Sequence, residues 1–268
     1  MDQREKEAAI RSIVETSVQI FAQTFADRHI ADADDPDGVI HMKVHNLFIA
    51  ELGEDVVYYS ALSRSLDSSL GNMLEKMAMG IARLNYKVRK EVKGPLYRSQ
   101  TMAIAELLEA YKRHAQLPKV ADYQSLACSV QGEQAVKRHD SDYCLYDAEC
   151  DEYHLIELKI GGDLDNKKAR SEKEALLEQY CILANSLGSA ERVRLHFATA
   201  YNRYGEGRPW TQSRVLQFFA QDELLISKDF WNMVCKLDNG YEVVLSEYRK
   251  QAPLIVEALR AIRERYLS

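Results

Sequence analysis

Two segments joined by a short polar turn constrain the fold of this chain more than any other feature. Segment 136–146 ends in the apolar residues 143–146, segment 153–160 is rich in Leu and Ile, and the acidic segment 147–152 separates them. This pattern predicts two adjacent β-strands connected as a hairpin. The pair Gly161-Gly162 follows, and residues 166–187 then place apolar side chains at helical spacing. A hairpin followed by a helix is typical of a mixed α/β core.

Helical periodicity dominates the rest of the chain. Apolar stripes predict helices over 10–25, 40–52, 54–65, 68–84 and 99–115 before the hairpin. After it, the pattern predicts a third strand over 192–200, a loop over 204–210 and a short strand over 224–227, with further helices over 213–220, 228–235 and 242–266. We therefore predict an α/β fold with additional helices before and after the core.

Composition excludes several classes of protein. The 268 residues are 46% hydrophobic, with only 12 Gly and 5 Pro, which argues against extensive disorder. No apolar run approaches the roughly 20 residues that a membrane-spanning helix needs. The first ten residues mix both charge signs, unlike a signal or transit peptide, so we expect a cytoplasmic protein. The five cysteines contain no Cys-x-x-Cys pair, which disfavours a zinc site.

The charge distribution leaves nucleic-acid binding open. The net charge of -6 argues mildly against it. However, residues 1–75 hold 14 Asp/Glu against 6 Lys/Arg, so the acidic excess belongs to the first part of the chain. Segment 83–98 carries six basic residues against one acidic residue. Such a run is more often a solvated face than a binding patch, and both readings remain open.

The chemistry-bearing residues concentrate on the two predicted hairpin strands. Side chains alternate along a strand, so Glu157 and Lys159 are expected on the same face. Asp142 opens the neighbouring strand, and hairpin pairing would bring its carboxylate beside Glu157. Two carboxylates repel each other unless a hard cation such as Mg²⁺ lies between them. An incidental ion pair on an edge strand is the alternative for Glu157 and Lys159, and Asp140 competes with Asp142 because both are expected on one strand face.

These residues resemble a known nuclease signature. Asp142, fourteen further residues and then Glu157-Leu158-Lys159 look like the PD-(D/E)xK motif, with Ser141 where a proline is often found. The continuation through residue 169 resembles the TdeIII-type branch of type II restriction endonucleases, as do segments 69–75 and 228–231. The resemblance implies a restriction-endonuclease-like catalytic core over 66–241, with a mixed central sheet flanked by helices. Residues 1–65 would be a helical dimerisation region, and helix 242–268 would pack on the core or at the dimer interface.

The same resemblance implies roles for the site residues. Asp142 and Glu157 would bind Mg²⁺, with the Leu158 carbonyl as a third ligand. Lys159 would orient or deprotonate the attacking water. Glu75 would add a further carboxylate from a helix, although a solvated helix position explains it equally well.

Two further segments contain candidate residues for DNA contact. Asp163 and Asp165 precede helix 166–187, where helix capping is the preferred interpretation. Three residues at the start of that helix would touch phosphates: Asn166, Lys167 and Lys168. Polar groups in the loop after the third strand would contact bases or phosphates, unless the loop is an ordinary surface loop: Arg208, Trp210, Gln212 and Arg214. Phe230 and Trp231 are expected in a core or an interface.

The leading functional hypothesis is a type II restriction endonuclease of a bacterial or archaeal cytoplasm. The resemblance implies that it uses Mg²⁺ to cut double-stranded DNA at a short GC-rich palindrome such as GGNCC, leaving 5'-phosphate and 3'-hydroxyl ends. A homodimer matches the two-fold symmetry of such a site, and neither a membrane partner nor a nucleotide cofactor is expected. The alternatives are a metal-dependent glycosyltransferase using Asp140-x-Asp142, a non-specific DNA repair nuclease, and a non-catalytic DNA-binding member of the same fold.

Overall fold

The computed structural model describes residues 1–162 and 164–267, and the side chains of all of these except Ser141 and Asp142. The chain forms two compact units, one of Met1–Ile81 with Asn239–Ser268 and the other of Ala82–Asp238. These units divide the chain differently from the predicted boundaries at 65/66 and 241/242. The reason is that residue 65 lies inside one continuous helix, Glu54–Ala82.

The first unit is helical. Its longer helices are α1 (Gln3–Asp32), α3 (Glu54–Ala82) and α9 (Gly240–Tyr266), and a short α2 spans Leu47–Ala50. The predicted helices 54–65 and 68–84 are a single α3, because neither proline nor glycine interrupts the chain between them. Instead of a helix over 40–52, the structure has a 3₁₀ turn at His41–His45 followed by α2.

Helix α1 begins and packs as its sequence predicts. Asp2 accepts a hydrogen bond from the backbone N–H of Glu5 at 2.8 Å, and the Glu5 carboxylate accepts one from the N–H of Asp2 at 3.0 Å. This reciprocal capping satisfies two N–H groups that the helix leaves unpaired. Residues of its apolar stripe such as Val14, Val18 and Phe25 are buried, and α1 lies against α9.

The second unit is built on a mixed sheet with the order β1-β2-β3-β4-β5 within the described part of the chain. The strands are β1 (Lys87–Tyr97), β2 (Gln134–Asp147), β3 (Glu152–Leu158), β4 (Val193–Thr199) and β5 (Leu224–Ile226). The first three are antiparallel, whereas β4 runs parallel to β3 and β5 parallel to β4. The mixed α/β class is therefore confirmed.

Helices α4 (Arg98–Lys112), α5 (Ala121–Cys128), α6 (Asn166–Leu187), α7 (Ser213–Leu216) and α8 (Lys228–Cys235) complete this unit. The predicted hairpin, α6 and α8 are confirmed. Strand β1 is not predicted from the sequence, because its aliphatic residues, Val88, Val92 and Leu96, are four positions apart and lack the period of two that indicates a strand. The basic run 83–98 thus contains the whole of this edge strand.

Helix α6 holds the site-bearing strands in place. The Asp165 carboxylate caps it by accepting a hydrogen bond from the N–H of Lys168 at 2.8 Å, and Gly188 ends it with φ +69°. Leu176, Tyr180 and Leu183 on its inner face are buried. A Cβ at Gly94 of β1 would lie 2.7 Å from the Ser186 hydroxyl of α6, so the glycine permits this close approach.

Candidate active site

Glu157 and Lys159 lie at the carboxyl end of β3. Glu157 is opposite Phe197 of β4, and the N–H of Lys159 donates to the Ala198 carbonyl at 3.0 Å. The two side chains form an ion pair, as expected for strand residues two positions apart. Leu158, which lies between them, and Ile156, which precedes Glu157, are buried. The sheet therefore fixes both side chains on one face at the point where the strand ends.

A second carboxylate reaches the same lysine from α6. Lys159 Nζ lies 3.1 Å from Oε1 of Glu172. Sequence analysis missed Glu172, because it stands in the polar segment 170–174 at the beginning of the helix and resembles an ordinary surface residue. Its position two turns into the helix after the Glu-x-Lys strand is the only sequence signal that could have indicated it.

The charges in this cluster are partly removed from water. The exposed fractions of the Glu157, Glu172 and Lys159 side chains are 12%, 28% and 31%. Burial acts to lower the pKa of Lys159, but the charges and hydrogen bonds of Glu157 and Glu172 outweigh it and raise the pKa above its usual value. Lys159 is thus held as an ammonium group between two carboxylates.

Strand β2 contains an irregularity close to Asp142. Arg89 is opposite Cys144 and Glu91 is opposite Asp140, so two steps along β1 match four steps along β2. Bulges of this kind commonly lie beside active sites, where they redirect a side chain. The expectation that Asp140 and Asp142 share one strand face depends on unbroken alternation, and the register shift removes that basis.

The two candidate aspartates differ in what the structure shows. Asp140 is 90% exposed, and its carboxylate lies 3.8 Å from the Arg138 guanidinium. The preceding residue, His139, points to α6 and lies 2.8 Å from the Glu178 carboxylate. Asp142 belongs to β2, but its side chain lies outside the described set. Asp140 is therefore directed to solvent rather than to α6.

A glycine turn follows the site residues directly. The N–H of Gly162 donates to the Lys159 carbonyl at 3.1 Å, and Gly162 has φ +65°. A Cβ at Gly162 would lie 2.8 Å from Thr199 Cγ2 and 3.0 Å from Trp210 Cζ2. Only glycine suits both this backbone conformation and this space.

The predicted phosphate-contacting residues are accessible. Asn166, Lys167 and Lys168 are exposed in the first turn of α6. The preceding Asp165 has the predicted capping role, whereas Asp163 lies outside the described residues. Glu75 lies on α3, in the first compact unit, and its predicted role stays a prediction.

The predicted base-contacting loop is only partly accessible. Arg208 and Arg214 are exposed. Gln212 is 9% exposed and caps α7 by accepting a hydrogen bond from the N–H of Arg214, and its predicted role in DNA contact stays a prediction. Trp210 packs on Phe197 with ring centroids 5.9 Å apart and belongs to the core. Phe230 and Trp231 are buried, as expected.

The donor chemistry of the cluster fits a hard cation. Glu157 and Glu172 already flank one positive charge, the Lys159 ammonium, and carboxylate oxygens are the ligands that Mg²⁺ prefers. Among the described residues, no group of three or more His, Cys, Asp or Glu side chains forms a metal-binding cluster. The Asp142 side chain is not among them.

Comparison with known proteins identifies the family. A family model described as HinfI type II restriction endonuclease matches residues 6–252. The chain belongs to this family. The protein is accordingly a site-specific deoxyribonuclease acting on double-stranded DNA. No curated protein and no solved structure matches the chain.

Membership of the HinfI family decides between the functional alternatives. The expectation of a type II restriction endonuclease is confirmed, and the glycosyltransferase reading of Asp140-x-Asp142 is set aside. The match is to the HinfI family, so the narrower TdeIII-type affiliation stays a prediction. No helix in the described ranges is both long enough and apolar enough to cross a bilayer.

Proposed function

We propose that this HinfI-family enzyme cuts both DNA strands in a Mg²⁺-dependent reaction at the end of β3. The observation that carries the proposal is the Lys159 ammonium held by Glu157 and, at 3.1 Å, by Glu172. Charged groups that converge in a partly buried position beside a strand end are candidates for binding a ligand or acting chemically. The reaction hydrolyses a phosphodiester to a 5'-phosphate and a 3'-hydroxyl.

Three groups on adjacent strands would hold the metal ion in this proposal. They are the carboxylates of Asp142 and Glu157 and the main-chain carbonyl of Leu158. Tyr143 is opposite Ile156 in the β2–β3 register. Asp142 precedes Tyr143 in sequence and Glu157 follows Ile156, which supports Asp142 over Asp140. Bound there, Mg²⁺ supplies Lewis acidity toward the scissile phosphate and its attacking water.

Lys159 acts on the reacting groups as a hydrogen-bond donor. Its ammonium group has three donor hydrogens, and two are enough for the carboxylates. The third can reach a non-bridging phosphate oxygen or orient the attacking water. Glu172 restrains the long lysine side chain, so less of its rotamer freedom remains to be lost when DNA binds.

DNA contacts would come from both sides of the β3 end. Asn166, Lys167 and Lys168 would contact phosphates from the first turn of α6, where the helix dipole also favours an anion. Arg208 and Arg214 remain candidates for reading bases. The proposals of a GC-rich, GGNCC-like palindrome and of a metal-site role for Glu75 rest on the TdeIII-type resemblance alone.

We also propose that the enzyme is a cytoplasmic homodimer. One chain carries one Glu157/Lys159 site, and a palindrome presents two equivalent bonds. Within the first unit, segment 39–52 exposes several apolar side chains, with Phe48 at 90% and Leu47 at 71%. Water-exposed apolar residues grouped in this way commonly mark a protein interface. The segment lies in the region where the sequence predicts dimerisation.

Digestion of phage DNA in the presence of Mg²⁺ tests the proposed function. Discrete bands are expected, and mapping their ends gives the recognition site and the cleavage position. A smear would instead indicate a non-specific nuclease, and intact DNA would indicate a non-catalytic DNA-binding protein. Either of these two results contradicts the proposal.

A further inference from the structure

Tyr201 stands at the carboxyl edge of the sheet, beside the turn that follows the proposed catalytic residues. Glu157 of β3 is opposite Phe197 of β4, and the main chain of Lys159 is bonded to Ala198. The pairing continues beyond the strands, because the N–H of Ala200 donates to the Ile160 carbonyl at 3.1 Å. The next residues on the two chains are Gly161 and Tyr201.

The phenol of Tyr201 is seated on Gly161. A Cβ at Gly161 would lie 2.5 Å from the Tyr201 hydroxyl oxygen and 3.1 Å from Cζ. Any side chain at position 161 would therefore displace the phenol. The backbone of Gly161 has no positive φ, so conformational freedom does not account for this glycine. The space that it leaves for Tyr201 does.

Tyr201 also differs from the aromatic residues that form the core. It is 52% exposed, whereas Phe197 and Trp210 on the same side are buried. Within the described residues, no hydrogen bond satisfies its hydroxyl group. Its phenol packs on Gly161, two residues beyond Lys159, and its unbonded hydroxyl is suited to donating a hydrogen bond to an anionic oxygen. Tyrosine hydroxyls are among the groups that contact DNA phosphates.

We propose that the Tyr201 hydroxyl donates a hydrogen bond to a backbone phosphate of the DNA strand being cut, and that the absence of a side chain at Gly161 allows the phenol to take this position. This inference rests on the proposed site at Glu157 and Lys159. Tyr201 is a substrate-binding residue in this account, and it takes no part in bond cleavage. It adds a neutral donor to the basic residues at the start of α6.

DNA binding by Tyr201→Phe tests the proposal. We expect about tenfold weaker binding of a duplex containing the cleavage site, measured by fluorescence anisotropy in Ca²⁺, because one hydrogen bond to a charged group is lost. The slope of binding affinity against salt concentration should not change, since no charge is removed. Tyr146→Phe is the matched control, because its hydroxyl donates to Asp151 at the other end of β3.

Gly161→Ala supplies an independent variant. It should weaken binding to a similar degree by displacing the phenol, and the double variant Gly161→Ala/Tyr201→Phe should bind no worse than Tyr201→Phe alone. Binding by Tyr201→Phe within twofold of the wild type would overturn the proposal, as would additive effects in the double variant. A wrong assignment of the catalytic site is detected separately, because Lys159→Ala would then cleave DNA at a near-normal rate.

Discussion

Lys159 Nζ lies 3.1 Å from Oε1 of Glu172, although the two residues come from a strand and from the helix that covers it. This contact links α6 to the Glu157–Lys159 pair. It means that the position of the lysine depends on the helix as well as on the strand. The helix that presents Lys167 and Lys168 to solvent therefore also restrains the proposed catalytic lysine.

Replacing Glu172 by Gln should slow single-turnover cleavage about tenfold, because the lysine loses one of two charged restraints. Binding of DNA in Ca²⁺ should change little, since α6 keeps its capping residue and its basic first turn. Glu174→Gln is the matched control, because Glu174 lies on the same helix and has no ion pair with any described residue. Equal rates for the Glu172 and Glu174 variants would show that the contact is incidental.

The sequence predicted the elements that carry the site better than the site itself. The hairpin, α6 and the shared face of Glu157 and Lys159 follow from local patterns, namely period-two runs, a capping Asp165 and strand alternation. Glu172 could not be predicted in this way, because its role arises only when α6 folds back on β3. Gln212 shows a related limit, since the sequence offers it for DNA contact and does not reveal the local capping bond that its side chain forms.

Edge strand β1 shows a second limit of sequence analysis. Its buried residues, Val92 and Leu96, are separated by Gly94. Gly94 permits the close approach of α6, but it has no apolar side chain that would indicate a strand. Lys173 is a similar case, because its burial is invisible in a polar helical segment. Packing against residues distant in sequence decides all four positions.

Lys173 supports a prediction about stability. Its side chain is fully buried, forms an ion pair with Glu223 and lies 4.3 Å from the centre of the Tyr123 ring. Lys173→Met should lower the free energy of unfolding by about 3–5 kcal/mol, because the buried Glu223 carboxylate loses its only charged partner among the described residues. Urea unfolding followed by circular dichroism measures this change.

The surface pair of Lys112 and Glu109 provides the control for that experiment. Their charged atoms are 3.7 Å apart, and Lys112 is 60% exposed. Lys112→Met should therefore change stability by less than about 1 kcal/mol. If the Lys173 and Lys112 variants were equally stable, Glu223 would not depend on Lys173.

Phe48→Glu should convert the proposed homodimer to a monomer, because a charge cannot be buried in an apolar contact without a partner. Sedimentation at micromolar concentration distinguishes the dimer from the 30.7 kDa monomer. Leu117→Glu is the control, since Leu117 is 73% exposed but lies in the other unit. A wild-type monomer, both free and on DNA, would refute the dimer and indicate sequential nicking.

Replacing Mg²⁺ by Ca²⁺ should preserve specific DNA binding and prevent cleavage. Both ions accept oxygen ligands, but Ca²⁺ holds them at longer distances and in looser geometry, and it activates water less well. Gel-shift and digestion assays on the same duplex measure the two properties. Cleavage in Ca²⁺ at the Mg²⁺ rate would contradict the proposed two-carboxylate metal site.

The most direct test of the central claim is single-turnover cleavage by Lys159→Ala in Mg²⁺, with DNA affinity measured in parallel in Ca²⁺. Affinity comes mostly from phosphate and base contacts spread over the protein, so binding should stay within a few fold of the wild type. Cleavage should be abolished, because the ammonium group beside Glu157 is gone. Near-normal cleavage by this variant would contradict the assignment of the active site to the end of β3.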